Sequence, residues 1–137
     1  MALITTSYFA ISRYFEGTKI SIARHNNPKF VGNLDEIQTS FAPSAELLKD
    51  YKHGRIDWRE YTKRYTREQR QHFREKPEDF RGLLDRASVE DIALLCYEKY
   101  VGRDTKCHRF LLYEMLKKVA EKEDYDVNFL DETFRVK

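Results

Sequence analysis

The apolar run Ile92-Ala93-Leu94-Leu95-Cys96-Tyr97 is flanked by Glu90-Asp91 and Glu98-Lys99. Continuous rather than alternating hydrophobicity suits a central parallel strand, because both of its faces are covered, and six residues are too few for a typical helix. Residues 3–11 are rich in Ile, Thr, Tyr and Phe, the types that favour a pleated strand. The segment 18–24 alternates in part, with Ile20 and Ile22 on one face, and Glu16-Gly17 before it is a turn signal. Two early strands fit this pattern, and so do a strand, a short helical piece and a strand. Residues 25–39 carry Asn26-Asn27-Pro28 and Gly32-Asn33 and read as loop. Loops beyond ~12–15 residues are often functional or mobile.

Helical periodicity follows. Ser44 can cap a helix carrying Glu46, Leu47, Leu48 and Tyr51, which His53-Gly54 closes. Asp57 opens the next helix, in which Trp58, Tyr61 and Tyr65 recur at core-facing spacing. Pro77 can start another, with Phe80, Leu83 and Leu84 as its apolar face. A last helix begins near Cys107 and runs through Phe110, Leu111, Leu112, Met115, Leu116 and Val119, and Val127, Phe129 and Leu130 suit a short final strand. No internal repeat is visible. Strands separated by helices predict an α/β fold, a single-domain layered sandwich with a mainly parallel sheet flanked by helices.

Composition agrees with one domain over residues 1–137, long enough to bury a core without metals or disulfides. With 25 basic and 23 acidic residues the net charge is +2, which gives no general reason to expect nucleic-acid or membrane binding. The start of the chain lacks a basic stretch followed by an apolar one, and no apolar run approaches the ~20 residues of a membrane span. The expectation is a cytoplasmic protein whose two cysteines, Cys96 and Cys107, are reduced.

Ligands of open α/β sheets sit beyond the carboxyl ends of the strands. Cys96, Tyr97 and Glu98 fall at that end of the buried strand, and Cys107-His108-Arg109 at the start of the following helix. A helix N-terminus attracts anions and stabilises a thiolate. There Arg109 offers a planar fork for phosphate or carboxylate, His108 can exchange protons near neutral pH, and Glu98 can orient His108 or pair with Arg109. The plainer account makes Cys96 a core residue and His108-Arg109 a solvated helix start. No metal site is expected: the spacing lacks paired Cys-x-x-Cys units, and adjacent Cys107 and His108 suit tetrahedral closure poorly. No cofactor is expected either, in the absence of a Gly-rich phosphate loop, a Gly-x-Ser-x-Gly elbow or a His-Glu-x-x-His pair.

Lys63-Arg64, Arg67, Arg70 and Arg74, with His72, form a basic helical stretch that can touch phosphate backbones. Glu60, Glu68 and Glu75 are interspersed, which favours a solvated, salt-bridged face.

Several stretches in order carry a resemblance: Thr5-Thr6-Ser7-Tyr8-Phe9, Ile20-Ser21-Ile22-Ala23-Arg24, Phe41-Ala42-Pro43-Ser44, Leu47-Leu48, Tyr51-Lys52, Trp58, Tyr61 and Arg64-Tyr65. Ala93-Leu94-Leu95-Cys96-Tyr97-Glu98-Lys99 and the later Cys107-His108-Arg109 are its specific part. Together they resemble the domain-of-unknown-function 488 family over residues 5–116; the tail, 121–137, matches nothing assigned. The resemblance implies a small α/β protein, in a family without an established general activity. It maps the family motif onto Cys96, Glu98, Cys107, His108 and Arg109, with Ser21 and Arg24 nearby as a polar strand end. The segment 100–106 is longer than the family's motif spacing leads one to expect.

Three functions compete at this stage. The first is binding of a small anionic or nucleotide-like ligand at the Cys-His-Arg site. The second is a thiol-dependent enzyme or redox sensor with Cys107 as nucleophile. The third is a non-enzymatic module that uses the basic helical face over residues 55–81 to hold protein or nucleic acid.

Overall fold

The computed structural model describes residues 3–8, 15–26, 34–96 and 108–130. Among them are five strands and four α-helices, in the order β1 (Leu3–Tyr8), β2 (Thr18–Ser21), β3 (Glu36–Ile37), α1 (Ala45–Lys52), α2 (Trp58–Glu75), α3 (Pro77–Ala87), β4 (Ile92–Cys96), α4 (His108–Lys122) and β5 (Asn128–Leu130). The strands form one sheet in the order β3-β2-β4-β1-β5, and every pairing is parallel. The fold is an α/β sandwich, as the alternation of strand and helix patterns predicts.

β4 is the central strand, and all five of its residues are buried. Its register places Ile92 opposite Ile4 and Thr18, and Leu94 opposite Thr6 and Ile20. The strand's period of two divides the core. Ile92 and Leu94 join Ile4, Ile20, Phe80, Leu84, Leu112 and Leu116 on the face covered by α3 and α4. Ala93, Leu95 and Cys96 join Ala23, with Phe15, Leu34 and Phe110 against them. A third cluster, of Leu47, Tyr61 and Tyr65 with Trp58, Tyr51 and Leu111, packs α1 and α2 together and α2 onto α4.

The helix ends form for local reasons. The Ser44 hydroxyl accepts the Leu47 N–H at 3.1 Å, and the Asp57 carboxylate accepts the Glu60 N–H at 2.8 Å. Pro77 occupies the first turn of α3, where its missing N–H costs nothing. Gly54, after α1, has φ +72°, a conformation open to glycine. Gly17 serves a different purpose. A Cβ there would lie 2.6 Å from the Phe15 ring and 2.7 Å from the Asp91 carbonyl, so only glycine lets the start of β2 approach the start of β4.

Three expectations need correcting. Residues 36–37, expected as loop, form an edge strand: two residues are too few for a readable alternation, and their pairing with Ile20 and Ser21 makes them a strand. β2 ends at Ser21, earlier than expected. The basic stretch of α2 is solvated but not laced by its own glutamates. Glu68 turns to Ser44, accepting its N–H at 2.9 Å and its hydroxyl at 2.6 Å, and Glu75 accepts from Gln71 at 2.6 Å. Arg64 pairs instead with Asp50 of α1, at 2.9 Å, and with Arg55 holds that carboxyl below its ordinary range. The expected strand over 9–11, Tyr97 and the tail 131–137 lie outside the described residues. No helix among the described residues is long and apolar enough to cross a membrane.

Candidate functional site

Because the strands are parallel, Ser21, Ile37, Tyr8 and Cys96 all end their strands on one edge of the sheet. β2 and β4 are neighbours there: the Ile22 N–H donates to the Leu95 carbonyl at 3.0 Å. From β2 the chain proceeds outward to β3, and from β4 it proceeds the other way to β5. The ends of β2 and β4 are therefore the topological switch point of the sheet, where ligands of open α/β sheets sit.

The first turn of α4 is fixed at that switch point. The His108 Nε2–H donates to the Ile22 carbonyl at 2.7 Å; a carbonyl only accepts, so the ring's proton sits on Nε2. The ring is packed 5.5 Å from that of Tyr65, whose hydroxyl donates to the Phe41 carbonyl at 2.7 Å. Burial, opposed by the bond to Ile22 and aided by the neighbouring Arg109 charge, lowers the His108 pKa to about 4. The proton exchange near neutral pH that its residue type suggested is therefore corrected: at neutral pH His108 is an uncharged, buried donor. Arg109 is fully buried as well, with its guanidinium 4.7 Å from the Phe110 ring centroid. Neither residue belongs to a solvated helix start.

Ser21 is fully buried, and its hydroxyl hydrogen-bonds the Asn26 side-chain oxygen while accepting the Ala23 N–H at 3.3 Å. Asn26 in turn donates to the Ala23 carbonyl at 3.3 Å, tying the chain into a turn just past β2. Arg24 is half-buried and directed by its Nε to the Pro43 carbonyl at 2.6 Å. The strand order thus brings Ser21, Arg24, Cys96, His108 and Arg109 to one edge, while Arg24 itself bonds the segment leading into α1 rather than the start of α4. Asn26 and Tyr65 brace this edge; the sequence marks Asn26 as a loop signal and Tyr65 as a core position within the stretches that carry the family resemblance.

Cys96 is buried, as its apolar run suggested, but it is not a reduced thiol: it is disulfide-bonded. The other cysteine of the chain is Cys107. Compartment was the wrong guide here, since a disulfide first requires two sulfurs within reach. His108, next in sequence to Cys107, is returned to the end of β2 beside Leu95. Cys107, Glu98 and the segment 100–106 lie outside the described residues. Among the described residues no group of three or more His, Cys, Asp or Glu side chains is placed to hold a metal ion.

Comparison with known proteins gives one family and no individual relative: no curated protein and no solved structure matches the chain. The family model described as "Active DUF488-N3 subclade" matches residues 4–120, from the first core residue of β1 to the last buried residue of α4. With that match spanning the sheet edge, its braces and α4 alike, the chain belongs to the DUF488 family, in the DUF488-N3 subclade.

Proposed function

We propose that the protein binds a small anionic or nucleotide-like ligand at the switch point between the carboxyl ends of β2 and β4. The observation that carries this reading is the divergence of the chain from those neighbouring strands, with the first turn of α4 seated there by the His108–Ile22 hydrogen bond. A helix N-terminus at a switch point supplies N–H groups and a positive dipole end to an anion. Arg109 and Arg24 are the cations of that edge, and Ser21 its hydroxyl. In this reading His108 is a positioning residue, because its one proton is committed to Ile22 and burial keeps it neutral. Glu98 and Cys107 join the site on the strength of the sequence motif.

The test is thermal denaturation with inorganic phosphate, AMP, ADP, ATP and NAD. A compound at 100 times its Kd stabilises by about 2.7 kcal/mol. Saturable stabilisation by at least one of them, weakened in Arg24→Ala, is the expected result. No stabilisation by any of them, with Arg24→Ala indistinguishable from wild type, would refute the reading.

The disulfide at Cys96 favours a second reading, in which the same edge is redox-coupled. Two-electron reduction of the disulfide by a dithiol would leave two thiols and an oxidised reductant, and Cys107 would then be free to act as nucleophile. Alkylation of Cys107 by iodoacetamide below pH 7 only after such reduction is expected on this reading. Labelling that rises only near the free-thiol pKa of ~8.5 would remove it.

A further inference from the structure

α2 presents two unlike faces. Tyr61, Tyr65 and Gln69 are buried. At about 100° per residue, Arg59, Lys63, Arg67, Arg70 and Arg74 fall within an arc of roughly 80° on the opposite side, a stripe about 22 Å long. All five are exposed, and no other residue of the helix falls in that arc. Every position of the stripe is therefore basic, and none is apolar or acidic.

The charges are not spent inside the molecule. Among the described residues Arg59, Lys63, Arg67 and Arg70 make no ion pair, and Arg74 hydrogen-bonds only the neutral Gln71, at 3.4 Å. Glu68 turns to Ser44 and Glu75 to Gln71, while Glu60, in the first turn just outside the arc, makes no ion pair with the stripe among the described residues. Like charges at i,i+3 and i,i+4 repel one another, so the stripe is a standing cost to the isolated helix that a bound polyanion would offset. A cleft of about 540 Å³ runs along it, lined by Thr62 and Thr66 as well as by the cations, and it supplies hydroxyl donors beside them. The neighbouring groove toward α4 shares Thr66, Arg70 and Arg74 with this cleft and adds an apolar floor with Phe73 and Met115 and a rim of Lys118 and Glu114.

We propose that the stripe is a docking surface for the phosphate backbone of a nucleic acid, bound without regard to sequence. An acidic amphipathic segment would need apolar contacts along its whole length, whereas the apolar floor lies beside Arg70 and Arg74 and none accompanies Lys63 and Arg67 in the cleft along the stripe. A strand with one negative charge per nucleotide matches an uninterrupted row of cations, and threonine hydroxyls suit phosphate oxygens. This surface lies on the far side of α2 from the switch point, and the proposal stands apart from the ligand reading above.

The experiment is fluorescence anisotropy with a fluorescein-labelled 20-base-pair DNA duplex and the corresponding 20-nucleotide DNA and RNA single strands, from 50 to 300 mM KCl. Five phosphate contacts predict a slope of log K against log[KCl] of about −4.5 on the duplex, an affinity loss of about 500-fold between 50 and 200 mM. Arg67→Gln with Arg70→Gln should flatten that slope by about 1.8 and leave the melting temperature equal to or above wild type, so that lost binding is not lost folding. Lys52→Gln with Lys122→Gln removes the same charge from exposed sites off the stripe and should leave the slope unchanged. The proposal is overturned by no binding of any of the three nucleic acids at 50 mM KCl. It is equally overturned by equal losses in the two variants, or by a labelled 16-residue polyglutamate that binds as tightly as the oligonucleotides, which would assign the stripe to an acidic protein segment. Whether duplex or single strand binds more tightly identifies the form of nucleic acid.

Discussion

His108 should leave a signature in the pH dependence of stability. In the folded protein its pKa is lowered to about 4 from the ordinary histidine value of 6.5, chiefly because burial disfavours the imidazolium. The unfolded chain therefore binds this proton more tightly than the folded one, and between those two values stability rises with pH. The contribution is fully present above about pH 6.5 and is lost as the protein is acidified toward pH 4. From the two pKa values the loss at pH 5, relative to pH 8, is about 2 kcal/mol. With a urea m-value of about 2 kcal/mol/M, typical of small proteins, that moves the midpoint by roughly 1 M. The perturbation is His108→Gln, whose side-chain amide retains a donor for the Ile22 carbonyl but does not titrate. Urea unfolding of both proteins, followed by circular dichroism from pH 5 to 8, gives the difference. The other histidines and all the carboxylates are common to both and cancel. The variant's curve should be flatter by about 2 kcal/mol at pH 5. Two parallel curves would refute the reasoning, since they would mean that the imidazole takes up its proton without leaving its buried bond.

Three further outcomes are expected. Ser44→Ala removes the α1 cap and the hydroxyl bond to Glu68 together, and should cost about 1–2 kcal/mol, read as a melting temperature lowered by roughly 3–8 °C; no change would mean that water replaces both bonds. Gly17→Ala should cost roughly 1–3 kcal/mol in urea unfolding, because its methyl meets the Phe15 ring and the Asp91 carbonyl; a neutral result would mean that β2 and β4 have room to part. Tyr65→Phe removes the hydroxyl bond to the Phe41 carbonyl but keeps the ring beside His108, so stability should fall by about 1 kcal/mol at every pH; a change in the slope between pH 5 and 8 would show that the hydroxyl, not the ring, keeps His108 dry.

What could be read in the sequence was set by short-range physics. The buried strand announced itself because five consecutive core residues need cover on both faces. Ser44, Asp57 and Pro77 marked helix starts because their capping and ring geometry act over three or four residues. What failed depended on contacts far along the chain. Glu36-Ile37 becomes a strand only because Ser21 and Ile20 lie beside it. Glu68 looked like a partner for the arginines of its own helix until a residue 24 positions away took both of its oxygens. Cys96 looked reduced because spacing and compartment are silent about proximity. The candidate edge was legible as a set of residue types at a strand end and a helix start. That His108 and Arg109 are buried was not, because polar neighbours in sequence conceal the Ile22 carbonyl and the Tyr65 ring that receive the histidine.

The cationic stripe lies on one side of α2, and Tyr65 on the other side packs against His108 at the ends of β2 and β4. The inward face of α2 is held by Tyr61 and Tyr65, and by Gln69, which donates to the Ser40 carbonyl at 3.3 Å. Those contacts fix the rotation of the helix about its axis, so the position of the cationic stripe follows from the core and not from the charges themselves. The stripe side chains lie on the face of α2 opposite Tyr61, Tyr65 and Gln69, so substitutions there should leave the bond to Ile22 intact. Effects at distant, unshared sites add, whereas effects through a shared buried network do not. Charge changes at Arg67 and Arg70 should therefore add to those at Arg24, while changes at Tyr65 and His108 should not add to each other. Additivity between stripe and switch point would support two independent surfaces; coupling between them would place a ligand or a chain segment across both.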